Sequence, residues 1–296
     1  MTIAKPVRKA VFPVAGMGTR FLPATKAIPK EMLPVVDKPV IQYAVEEARE
    51  AGIEQFVFIT GRGKHVIADH FDHAYELESL LEARDKTTEL NSLLEMLPKT
   101  GSVGMIRQQQ PLGLGHAVWC ARHIVANEPF AVLLPDDLMV PGVLKAMVEA
   151  WEKVGGNLVA TEEVPAEKTG SYGIITPGRV DGDLTEVVGL VEKPEPGAAP
   201  SRLGVIGRYI LQPEVMRVLD AQERGAGGEI QLTDAMAKLI GQQPFHALKV
   251  NSVRHDCGDK AGFVIANLAL ALERDDIAPK VRDFVSRTYG SSSTSQ

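Results

Sequence analysis

Short apolar runs that alternate with helix-patterned stretches constrain this chain more than any other feature. Residues 10–15, 55–60 and 130–135 are apolar runs of strand length. Residues 40–51, 115–126 and 143–154 place apolar side chains at helical spacing between or after them. Strand then helix, repeated, predicts an α/β fold. Successive parallel strands need a helical crossover, so the sheet is covered on both faces. The second half differs. Residues 158–163, 173–176, 184–191 and 205–211 read as short strands broken by Gly and Pro, with helices at 213–222, 231–240 and 261–273. These extend the same sheet and add a lid, with no repeat and no linker. Residues 75–97, rich in Glu, Leu and Lys, read as an inserted, solvated helical segment.

The chain has 296 residues, enough for one large domain or two smaller ones and for a proper core. The absence of a linker favours a single domain over 1–289. Residues 290–296 are Gly, Ser, Thr and Gln and are expected to be a disordered tail. Lys plus Arg total 32 against 38 Asp plus Glu, a net charge of −6. That balance argues against a sequence-blind nucleic-acid binder and against a peripheral membrane protein, both of which need a basic surface. No uncharged apolar stretch approaches the ~18 residues of a membrane span. The N-terminal apolar run leads into a glycine loop rather than a cleavage site, so no signal peptide is read. The two cysteines, Cys120 and Cys257, are too few for a disulfide scaffold and read as buried thiols in a reducing cytoplasm.

Four segments carry residues suited to chemistry. The first is Ala15-Gly16-Met17-Gly18-Thr19-Arg20, directly after an apolar run. Glycines there let a backbone approach a ligand, loop amides can donate to phosphate oxygens, and Arg20 can add a bidentate contact. The third glycine of a dinucleotide fingerprint is missing, since Phe21 holds its place, and no Walker A lysine follows. An ordinary turn remains open, and Pro13 inside the run is a mild conflict with a strand. Residues 1–30 include Lys5, Arg8, Lys9, Arg20, Lys26 and Lys30 and no acid. That is consistent with an anionic small molecule bound there. A solvated basic edge is the alternative, and it suits Lys5 and Lys9 better than the residues beside Gly and Pro turns.

The second is Leu133-Leu134-Pro135-Asp136-Asp137, at the end of a strand. Ligands of open parallel sheets sit at that edge, and a carboxylate there can share Mg²⁺ with phosphate oxygens. A helix cap before Pro141 is the alternative. Asp256 is a candidate second ligand. The third, Val191-Glu192-Lys193-Pro194, places a hydroxyl acceptor beside a phosphate-binding cation, or else an exposed ion pair. The fourth, residues 108–115, offers Gln108, whose amide can donate and accept at one base edge; a low-complexity glutamine run is the alternative. No Ser–His–Asp or Cys–His arrangement and no zinc spacing is evident.

Taken together these segments resemble one family. Residues 15–43, AGMGTRFLPATKAIPKEMLPVVDKPVIQY, are similar to the signature of bacterial UTP–glucose-1-phosphate uridylyltransferases, within the sugar nucleotidyltransferases. So, in order, are QQQPLGLGHA, LLPDD, SYGII, VEKP, GEIQLTDA and HDCGDKAGF, and the likeness covers roughly residues 7–275. It implies a Rossmann-like three-layer fold with a mostly parallel mixed central sheet. A nucleotide-binding part would span about 7–155, and a sugar-binding extension with C-terminal helices about 156–289. It implies transfer of UMP from UTP to α-D-glucose 1-phosphate, giving UDP-glucose and pyrophosphate. The reaction would be a Mg²⁺-dependent in-line attack at the α-phosphorus with no covalent intermediate, serving polysaccharide biosynthesis. A cytoplasmic homo-oligomer, often a tetramer, is also implied, with no nucleic-acid or membrane partner.

By position, the resemblance assigns Ala15, Gly16, Gly18 and Thr19 to the nucleotide. It assigns Arg20 to the triphosphate and Lys30 to the phosphates in the transition state. Gln108 and Gly113 fall to the uracil, Asp136 to Mg²⁺ and Asp256 to a second metal contact. Gly173 falls to the hexose, Glu192 to sugar hydroxyls and Lys193 to the sugar phosphate. Three positions depart from the family pattern. Asp137 is an extra acid, read as a cap or as support behind the metal; Asp259 and Ala261 replace a common Ser and Leu. Competing readings are the same chemistry on thymidine or another hexose 1-phosphate, a non-catalytic binding module, and an NAD-dependent oxidoreductase. Joint presence of Arg20, Lys30, Asp136 and Lys193 opposes the module, and the missing glycine opposes the oxidoreductase.

Overall fold

The computed structural model describes residues 5–195 and 197–289; the expected tail, 290–296, lies outside them. In chain order the strands are β1 (Lys9–Val14), β2 (Pro34–Val35), β3 (Lys38–Pro39), β4 (Gln55–Thr60), β5 (Val103–Arg107), β6 (Phe130–Leu133), β7 (Asp137–Val140), β8 (Asn157–Glu163), β9 (Gly173–Asp181), β10 (Leu184–Glu192), β11 (Leu203–Leu211), β12 (Phe245–Lys249) and β13 (Val253–Asp256). Nine of them form one sheet in the order β5-β4-β1-β6-β11-β8-β12-β10-β9. β5, β4, β1 and β6 are mutually parallel, β12 is parallel to β8, and β11 and β10 run against their neighbours. All but β10 and β11 therefore point the same way, the expected mixed, mostly parallel sheet.

The alternation of side chains along each strand builds two cores. Ala10, Phe12 and Val14 of β1 face one side with the helices Val40–Glu50 and Leu144–Val154. Val11 faces the other, with helices Leu114–Cys120, Glu214–Leu219 and Leu232–Ala237. A smaller cluster joins Val35 and Leu138 to Ala266 and Leu270 of the helix Lys260–Leu272. Pro13 is tolerated because β1 pairs with β6 only over Lys9–Val11, so the second ladder has ended before it.

Three expectations need correction. Residues 115–126 form two helices, Leu114–Cys120 and Arg122–Val125, because the Ala121 amide bonds to the Val118 carbonyl and tightens the turn. Residues 75–97 also split, into Tyr75–Ala83 and Thr87–Met96, with Asp85 at φ 54 between them; neither helix buries a residue, as a solvated segment should not. Cys257 is buried but Cys120 is only half-buried; both are free. No helix among the described residues is long and apolar enough to cross a membrane.

Candidate active site

The glycine loop leaves the C-terminal end of β1. Gly18 takes φ 64, the left-handed region glycine favours, and packs tightly: a Cβ there would lie 3.1 Å from Thr25 and 3.2 Å from Lys30. The Thr25 hydroxyl donates to the Gly18 carbonyl at 2.7 Å. The loop after β4 presses on the same strand end, since a Cβ on Gly61 would meet the Ala15 carbonyl oxygen at 2.9 Å.

Lys30 opens a short 3₁₀ turn, Lys30–Met32, and its Nζ donates to Asp136 Oδ2 at 2.5 Å. Asp136 follows β6, at the sheet edge where the sequence placed it. Burial opposes ionisation of Asp136, but the Lys30 ammonium and its hydrogen bond outweigh it, so the carboxyl sits below its usual range. Burial likewise opposes charge on Lys30, and Asp136 and Glu31 reverse the balance, raising its pKa. Both groups are held ionised.

Across from Asp136 stands Asp256, the last residue of β13. A Cβ built on Gly258 would lie 2.9 Å from Asp256 Oδ1, 3.1 Å from Asp136 Oδ2 and 3.6 Å from Arg20 Nη1. Arg20 Nη1 donates to the Gly258 carbonyl at 3.3 Å. Two carboxylates and a guanidinium thus converge on one point. Among the described residues no three His, Cys, Asp or Glu side chains could hold a metal by themselves. Two carboxylates fit Mg²⁺, which completes its shell with phosphate oxygens and water.

Asp137 also lines the cleft, but both of its carboxylate oxygens are engaged by protein donors, and it caps no helix. Its Oδ1 accepts from Arg254 Nε at 2.6 Å, and its Oδ2 from the Gly207 amide at 3.0 Å. The Leu144–Val154 helix is capped instead by Glu47, whose Oε1 accepts from the Val143 and Leu144 amides at 2.9 and 3.0 Å. The alternative of a cap at Asp136 or Asp137 is thereby excluded.

A cleft of about 550 Å³ joins these groups to the second half of the chain. Of the expected residues it is lined by Arg20, Asp136, Asp256, Gly173, Glu192 and Lys193. Gly173 begins β9 and Glu192 ends β10, and they pair in register. A Cβ on Gly173 would touch Thr233 at 3.2 Å and Glu192 Oε2 at 3.4 Å, so a side chain there would press on this wall. Lys193 has φ 43 and lies 3.4 Å from Glu192 Oε1. Ala15, Gly16, Gly18, Thr19, Lys30, Gln108 and Gly113 lie outside the lining of that cleft. A second cleft of about 480 Å³, lined by Asp37, Glu46, Glu50 and Glu273 among others, holds none of the expected residues.

Gln108 is buried while Gln109 and Gln110 are exposed, which removes the low-complexity reading for that residue. Its Nε2 donates to the Gly113 carbonyl at 3.2 Å and to His116 Nδ1 at 2.9 Å. The amide donor is therefore taken inside the protein. Gly113 has φ 102, and a Cβ would strike Glu229 at 2.7 Å. The basic N-terminal stretch divides in two. Lys9 Nζ donates to the Ile124 carbonyl at 2.8 Å and Lys5 Nζ to the Asn127 carbonyl at 3.2 Å, serving a helix end. Arg20 lines the cleft, and Lys30 is bonded to Asp136.

Several residues here escaped sequence reasoning. Arg254 lines the cleft and binds Glu162 at 2.7 Å and the Tyr172 hydroxyl at 3.0 Å as well as Asp137. Arg208, fully buried, donates to Glu47 Oε2 at 2.7 Å and to the Leu134 carbonyl at 2.9 Å, bracing the loop that carries Asp136. A charge inside the apolar run 205–211 was the available signal. Asp259 caps helix Lys260–Leu272, accepting from the Ala261 amide at 2.8 Å.

Comparison with known proteins accords with this geometry. A sequence model of the family described as nucleotidyl transferase matches residues 9–272. The UTP–glucose-1-phosphate uridylyltransferase of Komagataeibacter xylinus is 54% identical over 258 residues, 86% of this chain and 91% of that protein. A solved structure of UTP-bound UGPase from Acinetobacter baumannii is 41% identical, covers 95% of this chain and 99% of its own, and has a TM-score of 0.87. A UDP-glucose pyrophosphorylase complexed with UDP-glucose is 42% identical, covers 90% of this chain and 100% of its own, and has a TM-score of 0.81. The chain belongs to the nucleotidyl transferase family, among the UTP–glucose-1-phosphate uridylyltransferases.

Proposed function

We propose that this enzyme transfers UMP from UTP to α-D-glucose 1-phosphate, releasing pyrophosphate and UDP-glucose. The observation that carries the reading is the single cleft whose one wall holds Arg20, Asp136 and Asp256 and whose other holds Gly173, Glu192 and Lys193. Relatives named for this reaction, and solved relatives with UTP or UDP-glucose bound, support it.

The work divides by wall. The glycine loop 15–18 offers backbone to the nucleotide. Arg20 holds the part of the triphosphate that leaves. Lys30, protonated and fixed against Asp136, meets charge developing at the α-phosphate. Asp136, with Asp256 opposite, would hold Mg²⁺. Bound there, the ion would neutralise phosphate charge and favour attack at phosphorus. Gly173 leaves room for the hexose, Glu192 accepts its hydroxyls, and Lys193 binds its phosphate. With both substrates in one cleft, direct in-line attack by a sugar-phosphate oxygen suffices, and no covalent enzyme intermediate is required. Gln108 offers its carbonyl oxygen to the N3–H of uracil; cytosine presents an acceptor at that atom.

The test is pyrophosphate release over a grid of NTPs and sugar 1-phosphates, with Mg²⁺ or with EDTA. UTP with glucose 1-phosphate should be the best pair, and EDTA should abolish release. Release that persists in EDTA, or a better rate with dTTP or another hexose, overturns the corresponding part of the reading. We further infer a cytoplasmic homo-oligomer. Val264, Ile265 and Leu268 on helix Lys260–Leu272 are exposed and apolar, a surface suited to a second copy. Light scattering coupled to size exclusion would return a monomer if this is wrong.

A further inference from the structure

Glu31 is the residue after Lys30, and its side chain is turned inward, only 2% exposed. Its Oε2 accepts from Lys64 Nζ at 2.6 Å, and that lysine side chain is 7% exposed. Glu31 Oε1 is buried with no hydrogen-bond partner. As a stabilising device this pair is poor. Burial opposes charge on both partners, pushing the Glu31 carboxyl up and the Lys64 ammonium down. A buried ion pair with an unsatisfied oxygen is commonly matched in stability by an apolar pair of the same volume.

Its place in the fold gives it another use. Lys64 ends the loop after β4, and Gly61 of that loop is pressed against Ala15. Gly18, at the far end of the glycine loop, is packed against Lys30. Three segments thus meet in a ring: the glycine loop 15–18, the turn Lys30–Met32, and the loop 60–64. Two contacts of the ring are backbone or Cβ packing. The third is Glu31–Lys64.

We propose that the Glu31–Lys64 pair is a positioning clamp, closing this ring so that Lys30 and the nucleotide-binding loop are held as one rigid unit. This rests on the assignment of Lys30 to the nucleotide phosphates. Displacement of a phosphate-binding ammonium by a fraction of an ångström lowers transition-state stabilisation much more than ground-state binding. Glu31 and Lys64 do not line the cleft and touch no substrate in this scheme.

The test uses the double variant Glu31→Met/Lys64→Met, which removes both charges and leaves no unpaired polar group buried, together with Lys64→Arg, which keeps a cation for Glu31. Tm, kcat, both KM values and amide hydrogen exchange by segment are measured. The clamp predicts a Tm within about 3 °C of wild type for the double variant. It predicts kcat down roughly 10–100-fold, with KM for UTP and for glucose 1-phosphate within about threefold. Exchange should accelerate at least about tenfold in 15–18 and 30–33 and stay unchanged elsewhere. Lys64→Arg should recover most of kcat. Unchanged exchange in those two segments overturns the clamp whatever kcat does. So does a fall in kcat that follows a fall in Tm, with exchange raised across the whole chain. If the wild-type chain fails to couple UTP with glucose 1-phosphate, the transfer reading falls, and the exchange data still decide the clamp.

Discussion

The two lysines that the proposed reaction needs stand in different surroundings. Lys30 is 23% exposed, hydrogen-bonded at 2.5 Å to Asp136, and packed against a left-handed glycine. Lys193 is 50% exposed, 3.4 Å from Glu192, and itself carries a positive φ of 43. On the proposed nucleotide side the cation is packed and tightly paired, whereas on the proposed sugar side it is open and loosely paired. Preorganised charge serves the transition state, and an exposed cation serves capture. Changes on the first side should therefore appear in kcat and on the second in KM.

Asp136→Asn is the strongest test of the preorganised side. It keeps the shape, loses the charge that holds Lys30 and suits Mg²⁺, and should lower kcat by ~10²–10⁴. Wild-type turnover at saturating Mg²⁺ would remove Asp136 from the metal site. Lys30→Ala should lower kcat by roughly 10²–10³ with KM nearly unchanged; a pure KM effect would place Lys30 with the capture residues. Lys193→Ala should raise KM for glucose 1-phosphate by about 10–50-fold, the scale of one charge-assisted contact, and leave KM for UTP nearly intact. Equal weakening of both substrates would make Lys193 a structural partner of Glu192 and erase the division. The smallest effect is expected at Gln108. Gln108→Ala should narrow the UTP-over-CTP ratio of kcat/KM by about tenfold, since one hydrogen bond to the base is lost. An unchanged ratio would take Gln108 out of base recognition.

Much of the scaffold was legible. Strand 55–60 emerges with the expected bounds, and 10–15, 130–135 and 158–163 within two residues of theirs, because apolar runs bounded by Gly, Pro and charge report burial directly. β5, Val-Gly-Met-Ile-Arg, was missed: it lies at the sheet edge and is mostly part-buried or exposed, so its pattern is mixed. β13, Val-Arg-His-Asp, was missed because Arg254 and Asp256 line the cleft and no apolar run marks the strand. The site was half legible. Arg20, Asp136, Asp256, Gly173, Glu192 and Lys193 meet at one cleft. Of the residues that brace them, Arg208 stands out only as a charge in an apolar run, and Glu47, Arg254, Glu31 and Lys64 carry no local signature. Each acts through a partner on a distant segment, such as Arg208 on Glu47, 161 residues away.

The chain's order of elements, its strand-then-helix rhythm and the residue types at its strand ends were determined by the sequence alone. They rest on interactions within a few residues: hydrophobic periodicity, glycine's access to positive φ, and turn chemistry. Only the tertiary structure decided which charges meet. Lys9 and Lys30 are the same residue type in the same basic stretch, yet one ends on the Ile124 carbonyl and the other on Asp136. Asp136 and Asp137 are neighbours and both line the cleft, yet one is bonded to Lys30 and the other to Arg254 and the Gly207 amide. Successive strand-end side chains point in different directions, and a charge's partner is set by what the sheet brings within about 4 Å, a distance that sequence separation does not encode.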